Sequence, residues 1–265
     1  MGAFPSLVAT DLDGTIIRRD GTISARTVAA FARVEAAGAR FVLVTGRPPR
    51  VMGSIAAAFG HRGTAICANG ALAYDMRAGT VEARHLIPPS ALAKAAAALR
   101  VVAPGIGLAV EYPDGHAADA AYQAATWDVN SSISRLDDHV LFARPASKLL
   151  GRHFGYTCDD LLALVLPALD GLVSVTHSSA KGLVEASALG VSKATVVAEL
   201  AVRYGIGPEA VLAFGDMPND VPLLAWAGMS CAVANAHPAA RAAATCVIGS
   251  NDEDGVAAYL ETLFP

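Results

Sequence analysis

The chain has 265 residues, 54% hydrophobic and 17% charged, with 24 glycines and 14 prolines. That composition excludes intrinsic disorder, which goes with low hydrophobicity and high net charge, and no Gly-X-Y period marks a collagen. A formal net charge of −4 offers no basic footprint for nucleic acid or for an anionic membrane, and a chain this long can bury about 70–75% of its unfolded surface in one large domain or two ordinary ones.

At the N-terminus, Met1 to Val8 lacks the basic stretch and long apolar run of a secretory signal. Leu7–Thr10 is a short apolar run that predicts a buried strand. Ser24–Ala37 carries Val28, Phe31, Ala32 and Val34 at helical spacing, with Thr22 or Ser24 as the cap and Gly38 where a C′ glycine belongs. Arg40–Val44 predicts a strand, Val51–Phe59 a short helix ending at Gly60, and Thr64–Ala68 a third strand. Residues 86–184 read differently. They hold strand patterns at Gly107–Tyr112, Ser147–Leu150 and Leu172–Thr176, and helix patterns at Ser90–Leu99 and Asp159–Leu169. Trp127 lies in a polar stretch of this segment, whereas Trp226 lies in an apolar helix pattern. The mean hydropathy of +0.43 does not signal a membrane span. The stretch Ala91–Val110 is broken by Lys94, Arg100, Pro104 and two glycines, and a spanning helix needs about 20 predominantly apolar residues.

Toward the C-terminus the first pattern returns. Ser192–Tyr204, Val221–Ala227, Pro238–Ala244 and Gly255–Phe264 predict helices; Val211–Phe214, Cys231–Ala234 and Cys246–Ile248 predict strands. Continuous apolar strands separated by amphipathic helices predict an α/β fold, a doubly wound, mostly parallel sheet covered on both faces. The predicted core comprises residues 1–85 and 185–265, interrupted by an inserted α+β domain over 86–184. Cys67, Cys158, Cys231 and Cys246 are scattered without a Cys-x-x-Cys pair. They read as small buried hydrophobes of a reducing compartment, not as a disulfide frame or zinc site, and the expected location is cytoplasmic.

Three predicted strands stop in the same way, with polar residues following the apolar run. Asp11-Leu-Asp13-Gly-Thr15 follows the first, Thr45-Gly46-Arg47 the second, and Gly215-Asp216-Met-Pro-Asn219-Asp220 the third. Ligands of open α/β sheets bind at the carboxyl ends of the strands, so these residues are expected to converge if the strands share a sheet. Asp11, Asp13, Asp216 and Asp220 cannot lie uncompensated in one crevice. Oxygen ligands with no His or Cys nearby suit Mg²⁺, and the frame of a calcium-binding EF-hand is missing. Lys193 opens a predicted helix, where the macrodipole disfavours a cation. It reads either as an exposed first-turn lysine or as the cation answering these carboxylates. It is also one of only four lysines, against sixteen arginines.

These four motifs, in this order, resemble those of the haloacid dehalogenase-like hydrolase superfamily, and the length of the insert resembles the large C2B-like cap of its Cof-type phosphatases. Asn69-Gly70-Ala71, Gly190-Val-Ser-Lys193, Ala234-Asn235-Ala236 and Ser250-Asn-Asp-Glu-Asp254 are similar to further segments of that group. The resemblance implies a Rossmann-like core and an Mg²⁺-dependent phosphatase of a small phosphorylated metabolite such as a sugar phosphate. It implies Asp11 as nucleophile forming an aspartyl phosphate, and Asp13 as the acid and base. Mg²⁺ would be held by Asp11, the Asp13 backbone carbonyl and Asp216. Thr45, Gly46, Lys193, Asn219 and Arg47 are the phosphate-binding candidates, although Arg47 reads equally as a surface residue. Asp220 would orient Lys193 or a metal-bound water. The cap is expected to close over the crevice and select the leaving group.

Two positions depart from the family pattern: Ala194, where glycine is frequent, and Pro218, which stiffens its loop and removes a donor. Asn69 reads as a turn former with Gly70. His177 and Lys181 read as surface residues, as do His85, His116 and His153, and Asn251–Asp254 as a solvated turn. Two other functions share these motifs: a sugar phosphomutase using the same aspartyl phosphate, and a metabolite-binding protein without turnover. Nucleic acid and membrane partners are not expected.

Overall fold

The computed structural model describes residues 4–123, 133–178 and 182–265; Trp127 and Lys181 lie outside these. Contacts between residues divide the chain into two units, 1–83 with 192–265, and 84–191.

The first unit is a mixed α/β domain. Its strands are β1 (Leu7–Asp11), β2 (Arg40–Val44), β3 (Thr64–Cys67), β4 (Leu72–Asp75), β5 (Thr80–Arg84), β12 (Val211–Gly215), β13 (Met229–Val233) and β14 (Cys246–Ile248), in the order β14-β13-β12-β1-β2-β3-β4-β5. From β14 to β3 every pairing is parallel, and β4 runs antiparallel to β3. The residues of β1 and β12 are buried throughout, which is why those strands read as continuous apolar runs: a central parallel strand is covered on both faces. The helices are α1 (Ala25–Ala36), α2 (Gly53–Ala58), α6 (Lys193–Arg203), α7 (Val221–Trp226), α8 (Pro238–Ala243) and α9 (Gly255–Leu263). Ser24 caps α1 by accepting from the Thr27 N–H, and Ser192 and Thr195 form a reciprocal capping box on α6.

Strand order fixes where a site belongs. The chain leaves β1 toward β2 and β3 on one side, and returns through β12 toward β13 and β14 on the other. The direction of winding reverses between β1 and β12, and a crevice opens at such a reversal, outside the carboxyl ends of the strands. The register sets Thr10 opposite Phe214 and Asp11 opposite Val44. The residues that follow β1, β2 and β12 therefore leave the sheet at one level.

The second unit is a six-stranded sheet with helices α3 (Pro89–Val102), α4 (Asp138–Leu141) and α5 (Cys158–Leu169). Its strands are β6 (Gly107–Tyr112), β7 (Gly115–Ala118), β8 (Ser134–Arg135), β9 (Lys148–Arg152), β10 (Val173–Thr176) and β11 (Leu183–Ala188), ordered β10-β11-β9-β6-β7-β8. Leu108, Val110, Leu149, Val184 and Ala186 form a core with Leu92, Leu99, Leu161 and Val165 of α3 and α5. Alternate residues point the other way, among them Lys148 and Glu185, a buried ion pair at 2.9 Å. The boundary expected at 184/185 falls inside β11, which pairs with β9 and β10. Glu185 interrupts an apolar run there, and its buried partner Lys148 comes from a different strand. His177 is buried, not on the surface, with its ring Nε2 2.8 Å from Asp159. Among the described residues, no helix is long and apolar enough to cross a membrane.

Candidate active site

Asp11 ends β1, Asp216 follows β12, and Asp220 closes the one-turn helix Pro218–Asp220 after it. All three are buried, with one oxygen of each within 4.8 Å of the others. Lys193, at the first turn of α6, is also buried. Its Nζ donates to Asp11 Oδ1 at 2.5 Å and to Asp220 Oδ1 at 2.6 Å. The exposed first-turn lysine is thus ruled out. Two carboxylates in direct contact outweigh a helix dipole worth about 0.3–1 kcal/mol.

The remaining bonds build the loops that present these groups. Asp220 Oδ2 accepts from the backbone N–H of Asp216 and of Met217, both at 3.0 Å. The donor that Pro218 lacks is therefore not needed to hold its loop. Thr15 Oγ1 donates to Asp216 Oδ1 at 3.0 Å, the His237 N–H donates to the Asp216 carbonyl at 2.7 Å, and Asn235 Nδ2 donates to the Gly14 carbonyl at 2.7 Å. Asn251, expected in a solvated turn, is buried instead; its N–H donates to Asn235 Oδ1 and its Nδ2 to the Ile17 carbonyl. Asp254 of the same turn pairs with Arg18 at 2.7 Å. Asn235 and Asn251 thus tie the first motif loop to the far side of the sheet, roles that turn-forming residues conceal in a sequence.

Gly14 has φ +81°, and a Cβ built there would sit 2.3 Å from Asp216 Oδ2. Replacing it with alanine combines a strained left-handed backbone with a clash against a site carboxylate. Gly14→Ala is expected to lose more than about 1 kcal/mol of stability, measured by denaturant unfolding; a change within a few tenths would show that the loop rearranges freely.

Thr45 is buried beyond β2, and its Oγ1 accepts from the Arg47 N–H at 3.0 Å. Gly46 is half-buried between them. Arg47 makes a two-pronged contact with Asp13, Nε to Oδ2 at 2.7 Å and Nη2 to Oδ1 at 2.5 Å. That hydrogen bonding raises the Arg47 pKa further. Asn219 is buried and donates from Nδ2 to Asn69 Oδ1 at 3.1 Å. Asn69 adopts φ +57°, as its turn role predicts, but it is also buried, and its N–H donates to the Thr45 carbonyl at 3.0 Å. It links the loops after β2 and β12, which residue type and spacing did not disclose.

The electrostatics follow from crowding. Burial first, then the neighbouring carboxylates, push Asp11 well above the usual carboxylate range, against the pull of Lys193. Burial and then Asp220 push Asp216 up to about 7. Lys193, desolvated yet in contact with two carboxylates, is held protonated. Three buried carboxylates around one ammonium are a donor set short of positive charge. Their hard oxygen atoms fit a divalent cation such as Mg²⁺.

Residues 8–260 match the family model described as haloacid dehalogenase-like hydrolase. A phosphoglycolate phosphatase of Halorubrum lacusprofundi is 39% identical over 111 residues, which cover 38% of this chain and 49% of that protein. A 5-amino-6-(5-phospho-D-ribitylamino)uracil phosphatase of Bacillus subtilis is 35% identical over 101 residues, covering 37% of this chain and 40% of the relative. The chain thus spans half or less of the length of these curated relatives. Among solved structures, a phosphatase of the haloalkanoate enzyme superfamily from Bacteroides thetaiotaomicron superposes with TM-score 0.82 at 23% identity, covering 98% of this chain and 95% of the other. A subclass IIB sugar phosphatase superposes with TM-score 0.83 at 21% identity, covering 97% and 98%. These two likenesses extend over both units and concern the fold. With the family model spanning nearly the whole sequence, the chain belongs to the haloacid dehalogenase-like hydrolases.

Proposed function

We propose that the protein is an Mg²⁺-dependent phosphatase that hydrolyses a small phosphorylated metabolite through an aspartyl phosphate on Asp11. The observation that carries this reading is the buried Asp11–Lys193–Asp220 array beside Asp216, at the point where the sheet reverses its winding. Family membership supports it, as do the two relatives above, both phosphatases of small phosphomonoesters.

Asp11 Oδ attacks phosphorus, the bond to the leaving oxygen breaks, and the Asp13 carboxyl supplies the proton to that oxygen. Asp13 then takes a proton from the water that hydrolyses the acyl phosphate. Arg47 holds Asp13 as an acceptor before substrate arrives. Arg47, beside it, is a further candidate for contact with the phosphate. Lys193, the Thr45 hydroxyl, the Gly46 N–H and Asn219 hold phosphoryl oxygens as charge spreads over them. The Asp11 and Asp216 carboxylates and the Asp13 backbone carbonyl would hold Mg²⁺, with Asp220 fixing Lys193 and the loop behind them. Bound there, the ion supplies charge that offsets the repulsion between carboxylate and phosphate.

The test is phosphate release from a panel of phosphorylated metabolites and an aryl phosphate, with Mg²⁺ and with chelator. Release that requires Mg²⁺ is expected. Isomerised sugar phosphate without free phosphate, or binding without turnover, would overturn the reading.

A pH dependence follows from Asp216. Its folded pKa of about 7 lies above the ordinary carboxylate value of 3.8, so between these values the folded chain holds more protons than the unfolded one. The stability this group contributes is full below about pH 4 and is lost as pH rises through about 7. Chelator-treated protein is expected to melt at lower temperature at pH 8 than at pH 6. Saturating Mg²⁺, which favours the ionised carboxylate, or Asp216→Asn should reduce that slope. An unchanged slope in Asp216→Asn would contradict the assignment.

A further inference from the structure

Cys231 of β13 and Cys246 of β14 stand directly opposite each other in the parallel ladder. Adjacent strands lie about 4.7–4.9 Å apart, within the 4.4–6.8 Å Cα separation that a disulfide spans. Both side chains project from one face, and their sulfur atoms are 2.7 Å apart. Both thiols are free. A sulfur–sulfur bond is about 2.05 Å long, so bridging needs a sulfur displacement below ~1 Å and no change of strand spacing.

Access is asymmetric. β14 is the edge strand of its sheet, and Cys246 is half-buried there, whereas Cys231 is fully enclosed. Burial pushes the Cys231 thiol up, which makes Cys246 the group that meets a soluble oxidant first and Cys231 the group that resolves the product.

We propose that Cys231 and Cys246 are a redox modification site, at which a peroxide installs a reversible disulfide that clips the edge strand to its neighbour. The Cys246 thiolate attacks one peroxide oxygen, the O–O bond breaks, and the released hydroxide becomes water; Cys246 is left as a sulfenic acid. The Cys231 thiolate attacks that sulfur, the S–S bond forms, and hydroxide leaves to become a second water. Two thiols lose two protons and two electrons, and the peroxide is reduced to two waters. Proximity offsets the low thiolate fraction of Cys231, since juxtaposed groups react with very high effective molarity. Because the strand spacing already suits the bridge, it acts as a clip that stabilises the fold and leaves the loop after β13 in place.

The experiment treats the reduced full chain with hydrogen peroxide, removes the excess, alkylates under denaturing conditions, and reads intact and peptide masses. Two of the four cysteines should resist alkylation. The Cys231 and Cys246 peptides should be joined, about 2 Da lighter than their sum, and dithiothreitol should restore all four thiols. The oxidised protein should melt several degrees higher, and Cys246→Ser should show neither the link nor the rise. Survival of all four thiols would overturn the proposal. So would a gain of about 32 Da on Cys246, the sulfinic acid, with Cys231 still alkylated.

Discussion

Asp11→Asn is expected to abolish phosphate release, by about 10⁴-fold or more, while leaving the protein folded. The substitution keeps the shape of the side chain and removes the nucleophilic oxygen anion. Its effect on stability is where a catalytic and a merely structural Asp11 part company. If Asp11 served to pair with Lys193, its loss would destabilise the fold and spare turnover. The balance of forces points the other way: burial and three neighbouring carboxylates outweigh the attraction of Lys193 and hold the Asp11 carboxyl well above its usual range. A charge kept in place at such cost is a liability to the metal-free fold. Metal-free Asp11→Asn is therefore expected to melt no lower than the parent, with Lys193 still bound to Asp220. Thermal melts in chelator beside a phosphate assay with Mg²⁺ check both halves. Asp13→Asn, which removes an acid and base but no nucleophile, is expected to lose about 10²–10⁴-fold.

Lys193→Met is the substitution with the largest expected cost in stability. It keeps much of the apolar stem and deletes the ammonium that Asp11 and Asp220 both contact. Removing one partner of a buried ion pair costs about 3–5 kcal/mol, because the other charge is left uncompensated. The loss should be greatest in chelator near pH 8 and smaller at pH 5, where Asp216, with its pKa of about 7, takes a proton. Saturating Mg²⁺ should recover part of it. Adding Asp11→Asn to Lys193→Met should also recover stability, with a coupling of about 1–3 kcal/mol in a double-mutant cycle. A Lys193→Met protein within ~0.5 kcal/mol of the parent under all these conditions would show that the carboxylates are not coupled through this ammonium.

Much of this site is legible in the sequence because buried parallel strands write themselves as uninterrupted apolar runs. Leu7–Thr10, Phe41–Val44 and Val211–Phe214 stand out, and the polar residues just after them stand out by contrast. The order of the strands is not written locally. That β1 and β12 are neighbours, and that the crevice opens between them, depends on pairing across some 200 positions of sequence. Lys193 is ambiguous in the sequence for the same reason, since its local position argues for exposure and its partners come from β1 and from the loop after β12. β11 is not legible in the sequence because Glu185 breaks its apolar pattern, although Lys148 of β9 pairs with it in the fold. The predicted parallel sheet continues into two strands, β4 and β5, that the apolar pattern did not mark, with β4 antiparallel to β3. The cysteines looked scattered, yet the register of two short parallel strands sets Cys231 against Cys246. Asn69, Asn235 and Asn251 carry turn chemistry in the sequence, and the structure gives each of them a second task, holding the motif loops to one another.

In the proposed reaction Asp11 carries the phosphoryl group during turnover. This is tested most directly by mixing the Mg²⁺-loaded protein with its best phosphorylated substrate, quenching in acid within the first turnover, and mapping peptides by mass. A gain of about 80 Da, one phosphoryl group, is expected on Asp11 in the peptide containing Asp11-Leu12-Asp13, lost at neutral pH and absent from Asp11→Asn. Steady phosphate release with that peptide unmodified at every quench time, or with the phosphoryl group on another residue, would contradict it.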